Sequence, residues 1–303
     1  MSTKNSAFPP KRVLITGGSG YIGSRLVQQL VQLDWAVHLI VRPSSQLGAL
    51  DRIKNQITCH NYDGQIDSLM QIMQAVQPEI VFHLASLFLP QHQPTDVDRL
   101  IQSNVQFGTQ LLEVMREKGV KHIVNTGTSW QHHLNISDRA TNLYAATKQA
   151  FERILDYYTE AHQFAAVTLY VFDSYGPNDP RKKLISLLWA NAQGQTTLEM
   201  SPGEQLIDLV HVDDLVRAFV VATQEQTLKP GQHNRFGLSS GRAMPLKALA
   251  ELFSTSCGVA LKINWGGRPY RDREVMKTWT THTPLPNWAP EISLEQGLPW
   301  SAP

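Results

Sequence analysis

Apolar residues along this chain fall into short runs, and between the runs they recur every three or four positions. Arg12–Thr16 (RVLIT), Trp35–Arg42, Glu79–Ser86 (EIVFHLAS), Lys121–Thr126 and Ala165–Asp173 are nearly continuous apolar segments of strand length. Such runs are expected of strands covered on both faces. Gln56–Tyr62 is a weaker run of the same kind and ends at Asp63-Gly64. Ser24–Leu33, Ile66–Val76, Val97–Lys118 and Leu143–Ala161 show helical spacing instead. Strands alternating with helices predict an α/β fold with a parallel sheet, and the right-handed crossover rule makes a doubly wound sheet the simplest topology.

The rhythm changes after Gly176-Pro177. Helical pieces over Leu184–Gln193, Leu215–Gln224 and Pro245–Thr255 alternate with short strands and loops, and tryptophans and prolines gather near the end. The pattern predicts a sheet domain over residues 1–175, with 1–11 read as a mobile leader. A smaller mixed α/β domain that faces the substrate follows, mainly over 176–303, and the alternative that 206–221 returns to the sheet domain stays open.

Composition narrows the function. The 303 residues are 42% hydrophobic and 17% charged, as in ordinary globular proteins of one large or two modest domains. A net charge of +1 argues against a nucleic-acid binder. Cys59 and Cys257 are too far apart for a metal motif and too few for a disulfide framework, which points to a reducing, cytoplasmic compartment. The opening MSTKNSAFPPKR lacks the apolar centre of a secretory signal, and no run of about 18 apolar residues predicts a membrane span. Adjacent His132 and His133 have no further ligands at zinc-like spacing, so no metal site is expected.

Three motifs carry chemistry. Thr16-Gly17-Gly18-Ser19-Gly20-Tyr21-Ile22-Gly23 lies between the first strand and the first helix. Glycines there allow a tight turn and close approach of backbone to a pyrophosphate, and the helix N-terminus adds N–H donors. Gly17, Ser19, Gly20, Tyr21, Ile22 and Gly23 are therefore candidate dinucleotide contacts in a Rossmann-type sheet. About 20 residues beyond such a turn an acidic residue commonly meets the adenosine ribose. This chain has Arg42 there, followed by Pro43, Ser44 and Ser45. A guanidinium attracts a 2′-phosphate that a carboxylate would repel, and Ser44 and Ser45 add hydroxyls. The stretch therefore favours NADP(H), with NAD(H) left open. Finally, Tyr144 and Lys148 form a Tyr-x-x-x-Lys pair on a predicted helix, where residues four apart share a face. An ammonium there lowers the pKa of a phenol that otherwise titrates near 10. Sixteen residues before Tyr144, a strand ends at Thr126-Gly127-Thr128-Ser129, which places the Thr128 hydroxyl where strand ends open towards ligands.

With these motifs in hand, the chain resembles the extended short-chain dehydrogenases/reductases of the nucleotide-sugar epimerase/dehydratase/reductase type, nearly end to end. TGGSGYIG, VFHLAS, SNVQFGT, VNTGTS, YAATK, DSYGP and LIDLVHVDDLVRA carry the likeness. TSW…YAATK, SYGPNDPRKKL, SPGEQLIDLVHVDD and RPYRDREVM are similar to the CDP-abequose and CDP-paratose synthase branch. The resemblance implies NADPH-dependent reduction of the 4-keto group of a nucleotide-linked, CDP-type deoxyhexulose by a homodimer. Tyr144 would exchange the proton, Lys148 would hold the nicotinamide ribose and Thr128 would orient the sugar oxygen. It also implies cofactor contacts at Asp63, Gly64, Leu84, Ala85, Ser86, Asn104, Thr126 and Phe172. His83 reads as structural, because its neighbours are apolar strand residues and backbone can satisfy an imidazole. Ser129, Trp130 and Gln131 would pass over the sugar, with Trp130 on the pyranose and Gln131 or His132 at its hydroxyls. Arg271 best matches the family's late arginine for the diphosphate. Arg181, Lys182, Lys183 and Arg268 are further cations, and Asp173 is a candidate for a sugar hydroxyl or a nearby base.

The departures matter as much. Dehydratases of the family carry Asp-Glu after the Ser/Thr, whereas Ser129-Trp130 stands here, which argues against water elimination. Ile207-Asp208-Leu209 replaces the Arg-Asp-aromatic motif that contacts the substrate diphosphate in many relatives. Three other readings stay open: a 4-epimerase that retains its cofactor, a reductase of small carbonyl compounds, and a dinucleotide-binding scaffold or sensor without catalysis.

Overall fold

A computed structural model of the chain describes residues 10–194 and 197–302. The leader read over 1–11 falls outside the described residues as far as residue 9. In chain order the elements are β1 (Arg12–Thr16), α1 (Tyr21–Gln32), β2 (Ala36–Val41), β3 (Ile57–Asn61), α2 (Ile66–Val76), β4 (Ile80–His83), α3 (Val97–Ile101), α4 (Phe107–Glu117), β5 (His122–Thr128), α5 (Leu143–His162), β6 (Ala165–Val171), β7 (Asp173–Tyr175) and α6 (Leu184–Gln193). They continue with β8 (Leu198–Met200), β9 (Leu206–Ile207), β10 (Leu209–His211), α7 (Val212–Val221), β11 (Gln232–Leu238), β12 (Met244–Pro245), α8 (Leu246–Cys257), β13 (Ile263–Trp265) and α9 (Leu294–Trp300). The single helix predicted over Val97–Lys118 is instead α3 and α4 joined by a π-helical turn, Gln102–Gln106.

Seven strands form a parallel sheet in the order β11-β6-β5-β4-β1-β2-β3. The order reverses at β1, which pairs with β2 on one side and β4 on the other. Ligands of open α/β sheets bind beyond the strand ends at such a reversal. Thr16, the last residue of β1, registers with His83, the last of β4, so the glycine turn and the loop after His83 leave the sheet side by side. This is a Rossmann-like α/β fold.

By contacts the chain divides into two compact units. The first is Met1–Thr126, Thr147–Leu169 and Phe219–Arg235. Its core packs Leu14, Ile40 and Val81 of the sheet against Leu69, Ile72 and Met73 of α2, Leu111 and Met115 of α4, and Phe151 and Leu155 of α5. The sequence hinted at a return of chain over 206–221. The stretch that rejoins this unit is Phe219–Arg235, which supplies most of β11. The second unit is Gly127–Ala146, Tyr170–Ala218 and Phe236–Pro303, so residues before 176 contribute to it as well. Its core gathers Tyr175, Ile185, Leu188, Leu209, Leu249, Phe253, Leu294 and Leu298. No helix among the described residues is long and apolar enough to cross a membrane.

Candidate active site

In the first unit the glycine turn has a geometry that only glycine tolerates at two positions. Gly17 has φ +73°, and a Cβ there would lie 2.6 Å from the Ala85 nitrogen. A Cβ on Gly23 would lie 2.1 Å from the Gly17 carbonyl oxygen. The turn closes through Gly20 N–H to Gly17 O at 3.0 Å and Ser24 N–H to Gly20 O at 2.8 Å. No side chain caps α1 and its first turn holds no acidic residue, so its N–H groups and partial positive charge remain available to an anion. At the end of β5, the Thr126 hydroxyl is buried without a hydrogen-bond partner. A bare cradle, an uncapped helix start and an orphaned hydroxyl fit a dinucleotide.

Arg42 ends the run after β2 with its side chain exposed, and among the described residues no partner is recorded for its guanidinium. The turn beneath it is fixed by Arg42 N–H to Ser45 Oγ at 3.0 Å and Ser45 N–H to Arg42 O at 2.9 Å, while Ser44 is exposed. Asp63 is exposed and accepts the Gln65 N–H at 2.9 Å, and that bond, with help from Ser68, holds its carboxyl below the usual range. Gly64 follows with φ +98°. Leu84 N–H donates to Thr16 O at 3.1 Å and Ala85 N–H to Thr16 Oγ1 at 3.2 Å, which ties the β4 exit to the glycine turn. Asn104, which the resemblance offered to the cofactor, is 1% exposed and engaged on both sides of its amide. Its Oδ1 accepts from Leu87 N–H at 2.7 Å and Ser86 Oγ at 3.2 Å, and its Nδ2 donates to Leu87 O and Thr147 Oγ1, both at 3.0 Å. The π-helical turn that carries Asn104 thus pins the loop after β4 to α5.

Lys148 is 2% exposed. Burial draws its pKa down to about 8, against the pull of Glu152 in the other direction. His83 is 1% exposed, bonds Thr16 Oγ1 through Nδ1 at 2.9 Å, and packs against the rings of Phe107 and Phe151. Burial, and then the charge of Lys148, hold it down to about 3, so it is neutral.

In the second unit, Thr128 ends β5 and caps the short helical turn after it. Its Oγ1 accepts Trp130 N–H at 3.4 Å, which leaves its own proton for another acceptor. Gln131 is 2% exposed and returns its Oε1 to Thr128 N–H at 3.0 Å. A residue expected over the sugar therefore has its carbonyl committed to positioning Thr128. Ser129 and Trp130 are half-buried. His132 stacks on Trp279 with 3.8 Å between ring centres, and Phe172, buried at the end of the β6 run, lies parallel to the same indole at 6.2 Å. Asn142 caps α5, accepting Ala145 N–H on Oδ1 at 2.9 Å, and Tyr144 is half-buried in the first turn. Arg273 donates to the carbonyls of Thr141 at 2.8 Å and Ala140 at 3.0 Å, just ahead of that cap. Sequence reasoning passed over Trp279 and Arg273, because their partners lie more than 100 positions away.

The candidate phosphate-binding cations divide. Arg181 gives its fork to Asp179 at 2.7 and 2.6 Å and reaches Ser174 Oγ at 3.1 Å. Lys183 is 3.7 Å from Asp173, an ion pair that occupies both candidates. Arg271 and Arg268 are exposed. Arg271 donates its N–H to Glu274 Oε2 at 3.3 Å and accepts Glu274 N–H on its carbonyl at 3.1 Å, and Arg268 N–H donates to Met200 O at 3.3 Å. Asp208 accepts from Ser239 Oγ at 2.5 Å and from Ser240 N–H and Oγ at 2.9 and 2.6 Å, so it anchors the turn after β11. Among the described residues no cluster of His, Cys, Asp and Glu could hold a metal ion.

Comparison with known proteins gives a family match. The family model described as the NAD dependent epimerase/dehydratase family matches residues 13–235. A CDP-abequose synthase of Yersinia pseudotuberculosis is 28% identical over 229 residues, covering 75% of this chain and 77% of that protein. A UDP-glucose 4-epimerase of Halalkalibacterium halodurans is 29% identical over 266 residues, with 79% and 78% covered. Among solved structures, the UDP-glucose 4-epimerase of Thermotoga maritima, crystallised with UDP-glucose, superposes with a TM-score of 0.84 at 23% identity, over 96% of this chain and 97% of that one.

The neutral, buried His83 makes stability depend on pH. Its folded pKa of about 3 lies below the ordinary value of 6.5, so the unfolded chain takes up the proton first as pH falls. The stability it contributes is complete above pH 6.5 and is lost towards pH 3, by up to about 1.4 kcal/mol per pH unit. Urea unfolding of wild type and His83→Gln at pH 7 and pH 4.5 should show a pH-dependent loss smaller by about 2–3 kcal/mol in the variant. Equal losses would mean that His83 is not buried neutral.

Proposed function

The chain belongs to the NAD dependent epimerase/dehydratase family, and on that premise we propose that it is an NADPH-dependent reductase of the 4-keto group of a nucleotide-linked deoxyhexulose, with CDP as the favoured nucleotide. The observation that carries the reading is the pair on α5: Tyr144 half-buried in its first turn and Lys148 buried one turn later. Such a pair serves oxidation–reduction at a carbon bearing oxygen. The segment after Thr128 is Ser129-Trp130 and brings no carboxylate for water elimination. CDP-abequose synthases among the relatives support the sugar class.

A nicotinamide cofactor, held by the glycine turn, Arg42 and Lys148, would supply the hydride. The protein's own groups handle the oxygen. As negative charge grows on it, the Tyr144 hydroxyl donates a proton, and the Thr128 hydroxyl donates a hydrogen bond that holds it in line. Lys148, as an ammonium, favours the phenolate that remains and so lowers the cost of the transfer. Among the described residues, the exposed Arg271, Arg268 and Lys182 are the candidate cations whose side chains are not engaged by a carboxylate, and they are the groups left for a diphosphate.

A second reading is a 4-epimerase that retains its cofactor. UDP-glucose 4-epimerases among the relatives and the fold neighbours favour it, as do neighbours crystallised with NAD. It needs the same Tyr144, Lys148 and Thr128 but consumes no reductant.

In an assay of NADPH absorbance with a CDP-4-keto-6-deoxyhexose, Tyr144→Phe should lower kcat by about 10²–10⁴-fold. Full activity in that variant would end the proton-transfer assignment. Arg42→Asp should raise KM for NADPH at least tenfold, or about 1.4 kcal/mol, and improve the use of NADH. An unchanged KM for NADPH would remove Arg42 from cofactor selection.

A further inference from the structure

Four chemically active side chains stand at four-residue intervals along α5: Tyr144, Lys148, Glu152 and Asp156. At that spacing they lie along one face of the helix. The proposed reaction uses the first two only. The two carboxylates are met by β11. Arg235 Nε is 2.5 Å from Glu152 Oε1, and its Nη2 donates to Asp156 Oδ1. His233, two residues before Arg235 on the same strand, bonds the same Asp156 oxygen through Nδ1 at 2.7 Å. Its Nε2 is 2.7 Å from the Thr168 hydroxyl, which accepts Asn125 Nδ2 at 3.0 Å. Arg153, mostly exposed, reaches Glu152 at 3.5 Å and Asp156 at 3.2 Å.

Burial makes this row consequential. Glu152 is 1% exposed and Lys148 is 2% exposed. Neither ion is hydrated, so each depends on neighbouring charge. Glu152 is the carboxylate that bears on the Lys148 ammonium. The same carboxylate is hydrogen-bonded to the Arg235 guanidinium, so its negative charge is divided between Lys148 and Arg235, with the exposed Arg153 at 3.5 Å as a third and weaker claimant. His83 faces Lys148 from the end of β4 and is neutral. Asp156 is one turn further along α5 and is matched by Arg235 and Arg153, with a hydrogen bond from His233.

We infer that Glu152 is a positioning residue that sets the charge of Lys148, and that Arg235 governs how much of the Glu152 charge Lys148 receives. Removing the Glu152 charge makes Lys148 easier to deprotonate. Removing the Arg235 charge makes it harder, because the carboxylate is then undivided and a like charge has gone. A role in packing alone gives no reason for shifts of opposite sign. The link to catalysis rests on the proposed function, while the charge coupling does not.

The test is a pH titration of the full-length protein labelled with [6-13C]lysine, without substrate or cofactor, with the Lys148 signal identified by its loss in Lys148→Met. Glu152→Gln should lower the Lys148 midpoint by about one pH unit, and Arg235→Gln should raise it by a similar amount. Arg235→Lys, which keeps the charge, should restore the wild-type midpoint. Midpoints that do not move, or that move the same way in both neutral variants, overturn the inference. Should Glu152→Gln not fold, Glu152→Ala takes its place, and the two neutral variants must still shift the midpoint in opposite directions for the inference to stand. The basic limb of kcat/KM against pH should follow the same two shifts. Moved midpoints with an unmoved limb would uphold the coupling and overturn the part given to Lys148 in the proposed reaction.

Discussion

The site depends on keeping a positive charge where water does not reach. Burying an ammonium costs several kcal/mol unless the protein supplies its own counter-charge. Lys148 is almost fully buried, and the fold around it reads as the means of making that tolerable. α5 repeats a carboxylate one and two turns beyond the lysine. β11 brings Arg235 and His233 to those carboxylates, and β6 and β5 supply Thr168 and Asn125 behind the imidazole. The return of residues 219–235 to the first unit is therefore more than an added strand at the sheet edge, because without it Glu152 and Asp156 would lack their main partners. His83, on the other side, is kept neutral and so adds no competing charge.

The glycine turn works by the opposite logic. Here the protein withholds groups. No side chain caps α1, no acid sits in its first turn, and the space where two Cβ atoms would stand is taken by backbone. The result is a helix start without a side-chain cap or a competing acid, which suits phosphate. Arg42 adds a cation just past the end of β2, the parallel strand beside β1. The family is described as NAD dependent, and Arg42 stands where an acidic residue commonly meets the adenosine ribose.

Much of this was legible in the residues. RVLIT, the turn after it and IDSLMQIMQAV match β1, the glycine turn and α2 because burial on both faces and helical periodicity leave plain marks. YAATK was legible because its spacing is local. β11 was not, since its QHNRFGL contains the polar residues of the Glu152–Asp156 network and so lacks an apolar run. The π-helical turn at Gln102–Gln106 was hidden for a related reason: Asn104 gains its bonds only once the loop after β4 and α5 are in place. Gln131 and Arg181 looked like substrate ligands by position. Gln131 gives its carbonyl to Thr128 and Arg181 gives its fork to Asp179, local partners only three and two residues away.

The central claim is net reduction at the sugar carbon, with Tyr144 and Lys148 serving a hydride that comes from outside. It is tested most directly with NADPH deuterated at the transferable position and a CDP-4-keto-6-deoxyhexose, following the label by NMR. The account predicts deuterium bonded to sugar C4 and one NADP⁺ formed per sugar converted. No deuterium at C4 and no loss of NADPH, with interconversion of the C4 epimers when the corresponding 4-hydroxy sugar nucleotide is supplied instead, would contradict it and establish the epimerase reading.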